Sequence, residues 1–337
     1  MTFCIALDGM GGDHGPSEIV PAALLCLKKH KNLELILVGD ETTLKSVLSE
    51  HGAVLSDRLR LVHSTEVVEM HELPSLALRH KKDSSMRIAI QQVKEGHAAA
   101  CVSAGNPGAL MAMARYVLKM LPGIDRPAIC SMMPGIAGHT HVLDLGANID
   151  PSSEQLFQYA VMGAELTSAV DNVNNPSVAL LNVGAEEIKG NDRVKQAAVL
   201  LQESHLNYVG FVEGNDLYNN KVDVIVCDGF SGNIAVKASE GVAELFSAHA
   251  SNVFRGSIYG KLVALISSPI LKEIRHKIDP RRYNGASLLG LKGIVVKSHG
   301  GADKLSFSHA IEEAMKEVNK NVPERISERL EELLIEG

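Results

Sequence analysis

A short glycine-rich stretch near the start of the chain has residue types suited to holding an anion. The sequence DGMGGDHGP, residues 8–16, contains four glycines, two aspartates and a histidine, and it follows an apolar run. Glycine lets backbone N–H groups approach a ligand closely, and a helix predicted to start near Pro16 would present its free N–H groups to an anion. The alternative is a strand-to-helix turn whose residues only cap the helix. The stretch has neither GxGxxG spacing nor a GK[ST] ending, so it is not a dinucleotide fingerprint or a Walker A loop.

Similar loops follow five other apolar runs. They are SAGNPGALM (103–111), LDLGAN (143–148), NVGAEEIKGN (182–191), CDGFSGN (227–233) and KSHGGADK (297–304). Each joins glycine to a side chain that can hydrogen-bond. Ligands of open parallel sheets bind outside the carboxyl ends of the strands. If the six strands are parallel neighbours, the six loops therefore meet at one crevice.

The predicted crevice would hold an anion beside groups that move protons. Candidate phosphate or oxyanion ligands are Gly11, Gly12, Ser103, Gly105, Asn106, Asn182, Lys189, Asn233 and Lys237. Candidate acids and bases are Asp13, His14, Asp228, His299 and Asp303. For Asn106, capping of a helix that starts at Pro107 is the alternative. The sequence lacks the GxSxG motif expected of a serine hydrolase. A metal site built from His14, His299 and the aspartates is a further alternative, but these residues do not have the spacing of metal-ligand motifs.

The elements that must position these loops alternate along the chain. Strands are predicted at 3–8, 33–39, 59–64, 98–104, 127–133, 141–146, 177–183, 208–213, 222–228 and 293–299. Helical patterns fit 18–29, 42–52, 84–94, 109–120, 153–168, 192–204, 233–253 and 306–319. This alternation predicts an α/β fold with a largely parallel sheet. No linker composition divides the chain, so one catalytic unit over residues 1–337 is expected.

Composition excludes several classes of function. The chain has 337 residues, a net charge of −7 and no tryptophan, which argues against a nucleic-acid partner. Five cysteines without a CxxC pair indicate reduced, buried thiols in a cytosolic protein, with a catalytic Cys101 or Cys227 as the alternative. Neither a signal peptide nor a transmembrane segment is predicted, so a cytoplasmic location is expected.

Residues 251–282 differ from the rest of the chain. Apolar residues recur there at helical spacing, and Pro269 is expected to break the run into a protruding helical hairpin. The segment contains seven Lys and Arg residues and two acidic residues, so its net charge is about +5. This amphipathic basic excursion fits a membrane surface or an acidic protein, and an ordinary core or dimer helix pair is the alternative. The predicted contact residues are Arg255, Ile258, Lys261, Leu262, Ile266, Lys272 and Arg275.

Seven segments, in order along the chain, resemble the PlsX family of bacterial phosphate acyltransferases. They are IALDGMGGDHGP, VSAGNPGALM, DRPAI, LDLGAN, NVGAEEIKGN, CDGFSGN and the tail formed by GASLLGLKG and VKSHG. Each is a weak signal alone, but seven in the right order are specific. The family is similar in fold to phosphotransacetylases and to isocitrate and isopropylmalate dehydrogenases, which implies a three-layer αβα architecture. Pro107 departs from the family loop, where threonine is common.

The resemblance implies a reaction and its partners. Acyl-[acyl-carrier protein] and inorganic phosphate would give acyl phosphate and free carrier protein, the first step towards phosphatidic acid. A homodimer is implied, peripheral at the membrane, whose product feeds a membrane glycerol-3-phosphate acyltransferase. Neither an organic cofactor nor a metal is implied. The alternatives are an acyl-CoA phosphotransacetylase, a non-catalytic carrier-protein-binding scaffold at the membrane, and a nicotinamide dehydrogenase, for which no dinucleotide fingerprint follows a strand.

Overall fold

Eleven strands form one sheet in the computed structural model. The structure describes residues 3–336, and the side chains of residues 274–278, 280 and 333–336 lie outside that description. The strands are β1 (Phe3–Asp8), β2 (Leu33–Gly39), β3 (Leu59–His63), β4 (Ala100–Ser103), β5 (Ala128–Gly135), β6 (Gly138–Leu143), β7 (Ser177–Leu181), β8 (Asn207–Val212), β9 (Val224–Val226), β10 (Ala286–Leu289) and β11 (Ile294–Lys297). Their order is β3-β2-β1-β4-β11-β10-β5-β6-β9-β7-β8.

Helices cover both faces of the sheet. They are α1 (Pro16–Lys29), α2 (Glu41–Glu50), α3 (Pro74–His80), α4 (Ser85–Lys94), α5 (Pro107–Leu118), α6 (Ser153–Asp171), α7 (Asp192–Gln202), α8 (Gly229–Arg255), α9 (Ile258–Ile266), α10 (Ser268–Ile278), α11 (Lys304–Lys320) and α12 (Val322–Glu336). Alternate residues of β1 pack on opposite sides, since Ile5 and Leu7 join the core under α1 and α11 while Ala6 joins the core under α4 and α5. The predicted three-layer α/β architecture is confirmed.

The direction of the strands reverses in the middle of the sheet. β1, β2, β3, β4 and β11 are parallel to one another, as are β6, β7, β8 and β9. Between the two groups, β10 is antiparallel to β11 and to β5, and β5 is antiparallel to β6. The two parallel groups therefore run in opposite directions. Most of the sheet is parallel, but the predicted strands do not all point the same way.

The predicted excursion, residues 251–282, starts inside a long helix. α8 runs for 27 residues from Gly229 to Arg255, and α9 and α10 follow it. Pro269 lies in the first turn of α10, where a proline is tolerated, so the predicted break falls close to it. None of the residues of α9 is buried. Within the described part of the chain, no helix combines the length and the apolar character needed to span a bilayer.

Candidate active site

Three polar residues end three neighbouring parallel strands. Asp8 ends β1, Ser103 ends β4 and Lys297 ends β11. The register places Ser103 opposite Lys297, and β4 lies between β1 and β11. The loops that leave these strands (residues 9–15, 104–106 and 298–303) meet at one edge of the sheet, and we call them the first loop group.

Asp8 is a buried carboxylate at the base of this group. Its Oδ2 accepts a hydrogen bond of 2.6 Å from the hydroxyl of Ser103, which in turn accepts one of 3.1 Å from the backbone N–H of Gly105. Its Oδ1 is buried without a hydrogen bond among the described residues. Burial raises the pKa of Asp8, and the Ser103 hydroxyl lowers it in part. The Ser103 hydroxyl is thus engaged by Asp8 and Gly105.

Lys297 supplies a largely buried positive charge in the same place. Its Nζ donates to the carbonyl of Ala104 at 3.2 Å and to the carbonyl of Ser298. Burial lowers the pKa of Lys297 to about 8, against the opposing charges of Asp8 and Asp13. Sequence reasoning placed the cations at Lys189 and Lys237 and missed Lys297. The available signal was its position as the last residue of an apolar strand that leads into a glycine loop.

The glycines of DGMGGDHGP are required by close contact between the loops. A Cβ on Gly11 would lie 2.5 Å from Asp8 Oδ2 and 2.8 Å from the backbone nitrogen of Gly105. Gly12 has a φ of +85°, and a Cβ there would lie 2.8 Å from the carbonyl oxygen of Gly300. The next residue, Asp13, donates its N–H to that same oxygen at 2.8 Å. These contacts lock the loops after β1, β4 and β11 together.

The predicted acid–base residues of this group lie at its mouth. Asp13, His14 and His299 are exposed. Two hydrogen bonds fix His299. Its backbone N–H donates to Asn284 Oδ1 at 2.9 Å, and its ring Nδ1 accepts the backbone N–H of Gly301 at 3.1 Å. These side chains are accessible to a ligand seated against the first loop group.

Asn106 caps a helix, as the alternative interpretation proposed. Its Oδ1 accepts the N–H of Ala109 in the first turn of α5. Its Nδ2 donates to the carbonyls of Glu69, Met70 and Glu72. The amide therefore fastens the 69–72 segment to the start of α5.

Asp303 also makes two contacts, one with each oxygen of its carboxylate. Its Oδ1 accepts the N–H of Ser306 at 2.8 Å, which caps α11, and its Oδ2 pairs with Arg281 at 2.8 Å. Burial opposes the charge of Asp303, but the Ser306 N–H and the Arg281 guanidinium hold its pKa below the usual value. Asp303 is therefore ionised and connects α11 to the end of the helical excursion.

The loops that follow β6, β7 and β9 form a second loop group (residues 144–148, 182–191 and 227–233). These strands run opposite to β1, β4 and β11, so their carboxyl ends point the other way along the sheet. The condition set for a single crevice, that all six strands are parallel neighbours, is therefore not met. Length and hydrophobicity identify a strand but do not specify its direction.

Asp228 and Asn233 lie at the start of α8 within the second loop group. The Asp228 carboxylate caps this helix by accepting both the N–H and the hydroxyl of Ser231, at 2.8 and 2.9 Å. Asn233 is exposed one turn later and lies beside Gly146. One further turn along α8, Lys237 is exposed and pairs with Glu240 at 2.7 Å.

The 182–191 loop is folded on itself. Asn182 donates its side-chain amide to the carbonyl of Lys189 at 3.2 Å, and Asn191 caps α7. Lys189 is exposed and pairs with Glu186 at 2.8 Å, and this contact raises the pKa of the lysine. Lys189 is charged and accessible to an anion.

The predicted contact residues of the excursion lie on an open surface. Ile258 is 88% exposed, Leu262 54% and Ile266 72%. Lys261 and Lys272 are exposed as well, and Arg255 ends α8. The side chain of Arg275 lies outside the described residues. The surface is thus both apolar and basic, as the sequence predicts.

The cysteines behave as structural thiols. All five are free, and Cys26, Cys101, Cys130 and Cys227 are buried. Burial raises the pKa of each of these four thiols, to about 12 for Cys26. A thiol that keeps its proton is a poor nucleophile, so the geometry does not favour the alternative of a catalytic Cys101 or Cys227.

Comparison with solved structures identifies the fold. A phosphotransacetylase from Streptococcus pyogenes has a TM-score of 0.64 at 17% identity, covering 94% of both chains. A 4-hydroxythreonine-4-phosphate dehydrogenase from Klebsiella pneumoniae has a TM-score of 0.54 at 14% identity, covering 94% of this chain and 100% of the other. The chain thus has the dehydrogenase-like α/β fold that phosphotransacetylases share, as predicted.

Sequence comparison gives the family. Residues 3–325 match the model of the family described as "Fatty acid synthesis protein". A phosphate acyltransferase from Methylococcus capsulatus is 58% identical over 311 residues, covering 92% of each chain. The chain belongs to this family and is a phosphate acyltransferase. The predicted family and enzyme class are confirmed.

Proposed function

We propose that the enzyme transfers the acyl group of an acyl-[acyl-carrier protein] thioester to inorganic phosphate at the first loop group. The observation that carries this proposal is the largely buried ammonium of Lys297 beneath glycine loops that meet at the ends of three strands. A buried positive charge beside close backbone is suited to a phosphate dianion. α1 begins at Pro16, immediately after this loop, and its amino-terminal end adds the partial positive charge of the helix dipole.

The reaction needs charge stabilisation and one proton transfer. A phosphate oxygen attacks the thioester carbonyl carbon, the C–S bond breaks, and the thiolate of the carrier protein takes up a proton. Lys297 and the backbone around Gly11 and Gly12 would stabilise the phosphate and the developing oxyanion. At the mouth, Asp13 would orient the phosphate or remove its proton, and His14 or His299 would protonate the leaving sulfur. Direct attack in a ternary complex fits a site without an activated thiol.

The second loop group is proposed to complete the site. Six strand-to-strand steps separate β1 from β9. At about 20–25° of twist per step, the strand direction turns by roughly 120–150° over this distance. That rotation offsets most of the reversal in strand direction and aims both sets of carboxyl ends towards one side. Asn182, Lys189, Asp228, Asn233 and Lys237 would then meet the substrates opposite the first loop group.

The excursion is proposed to bring the enzyme to its partners. Acyl carrier proteins are acidic, and the exposed Arg255, Lys261 and Lys272 would attract them. Exposed Ile258, Leu262 and Ile266 would enter the membrane interface, where a glycerol-3-phosphate acyltransferase uses the product. We propose a cytoplasmic homodimer that associates peripherally with the membrane. Its acyl phosphate is the first intermediate towards phosphatidic acid.

A hydroxylamine trap for acyl phosphate tests the substrate. Long-chain acyl-[acyl-carrier protein] and the matching acyl-CoA are each supplied with phosphate. We expect kcat/KM to be higher with the carrier protein. Preference for acyl-CoA would make the enzyme a phosphotransacetylase, and carrier-protein binding without product would make it a scaffold.

A double charge reversal tests the excursion. We expect K261E/K272E to raise the KM for the carrier protein and to weaken binding to anionic vesicles. The control is K28E/K31E, which changes two exposed lysines near the end of α1. If both double variants match the wild type in both assays, the excursion has only a structural role.

A further inference from the structure

Two histidines and an aspartate converge at the amino end of β6, away from the loop that follows its carboxyl end. His139 and His141 are two residues apart on one strand, so their side chains leave the same face. That face packs on α6, whose last residue is Asp171. The three side chains thus come from a strand and a helix end that are both fixed by the core.

The possible ligand atoms of these three side chains lie close together. Nε2 of His139 and Nε2 of His141 each lie 2.8 Å from Oδ2 of Asp171. The three donor atoms lie within 4.8 Å of one another. The two imidazole rings are 5.2 Å apart and nearly perpendicular, so both nitrogens face the shared oxygen from different directions.

One side of the cluster borders solvent. His141 is 2% exposed, whereas His139 is 30% exposed and borders solvent.

The second ring nitrogen of His141 has its own neighbour. Nδ1 lies 4.0 Å from the buried sulfur of Cys130. When Nε2 binds an ion, Nδ1 carries the ring proton and directs it towards this sulfur, which is a weak acceptor.

We propose that His139, His141 and Asp171 bind one divalent transition-metal ion, with Zn²⁺ the best match. Two imidazole nitrogens and one carboxylate oxygen are a donor set that zinc accepts, with a fourth position for water on the exposed side of His139. Zinc bonds of about 2.0–2.2 Å at tetrahedral angles separate ligand atoms by about 3.3–3.6 Å. Each 2.8 Å contact therefore has to open by about 0.5–0.8 Å, through movement of His139 and Asp171, which are both partly exposed.

Calorimetric titration of Zn²⁺ into the chelator-treated full-length protein tests this site. We expect one ion per chain, and at least about tenfold weaker binding in H139Q and D171N. Zn²⁺ should also raise the melting temperature of the wild type but not that of H139Q. The matched control is H97Q. His97 also contacts a carboxylate, that of Glu95 at 3.4 Å, but among the described residues it does not belong to a cluster of three possible metal ligands.

Three results would overturn the proposal. They are no stoichiometric binding to the wild type, wild-type affinity in both H139Q and D171N, or an equal loss in H97Q. Melting curves in chelator show whether each variant is folded. If H139Q is unfolded, the affinity of D171N for Zn²⁺ decides the question. Acyl transfer is not the readout, so failure here leaves the proposed function untouched.

Discussion

Lys297 sets a pH limit on the proposed reaction. Burial lowers the pKa of its ammonium to about 8. The side chain is then roughly nine-tenths charged at pH 7, roughly half at pH 8 and roughly one-tenth at pH 9. A neutral amine neither attracts phosphate nor stabilises developing negative charge. We therefore expect kcat/KM for phosphate to fall about tenfold per pH unit above about pH 8.

Two substitutions separate this fall from the titration of phosphate itself. Arginine stays charged, so K297R should lose the descending limb while keeping part of the activity. K297M removes the charge and should lower kcat/KM about 100- to 1000-fold at neutral pH. The hydroxylamine trap measures all variants, with K292M as the control because Lys292 is exposed. The same descending limb in K297R, or nearly wild-type activity in K297M, would refute the role of Lys297.

The same lysine should not be needed for stability. A lysine in water has a pKa of 10.5, and the fall to about 8 in the folded protein corresponds to about 3 kcal/mol of unfavourable charge burial. That cost is fully present below about pH 8 and fades as the pH rises towards 10.5, because the folded state binds the proton more weakly. K297M removes the cost, so its urea midpoint at neutral pH should be no lower than that of the wild type. A lower midpoint would mean that Lys297 holds the fold.

Three further substitutions test the loops and the core. G11A places a Cβ 2.5 Å from Asp8 Oδ2 and should lower the free energy of unfolding by about 1–3 kcal/mol, whereas G214A, with open space around it, should not. Burial raises the pKa of Glu317 to about 8, so stability should fall as the pH rises from 4.5 to about 8, and E317Q should flatten that dependence in urea titrations. D13N should reduce acyl phosphate formation while changing the free energy of unfolding by less than about 0.5 kcal/mol, because Asp13 is exposed; unfolding of D13N would contradict this.

The hydrophobic pattern predicted most elements, but it missed β10, α3 and α12 and did not indicate the strand directions. β10 is only four residues, Ala286–Leu289, and contains no β-branched side chain. Three successive antiparallel pairings, β11–β10, β10–β5 and β5–β6, reverse the second half of the sheet. That reversal depends on long-range pairing, which periodicity does not encode, so the strand directions were not predicted although the loops themselves were found.

The candidate site was predicted in part, for a chemical reason. Side chains that accept hydrogen bonds from a ligand also cap helices, and Asn106, Asp228 and Asp303 all cap helices here. Asp8 and Lys297 were not singled out, because they read as the polar ends of apolar strands. Their importance lies in burial and in their approach to each other, and both arise only from packing.

α8 joins two distant parts of the protein in one rigid piece. Its 27 residues span about 40 Å, from the Asp228 cap in the second loop group to the exposed apolar surface around α9. One end of α8 thus lies at the second loop group and the other end at residues 251–282. A tilt of about 3° would move the far end by about 2 Å over that length. A partner that tilted α8 at this end would therefore also turn Asp228 and its neighbours at the other.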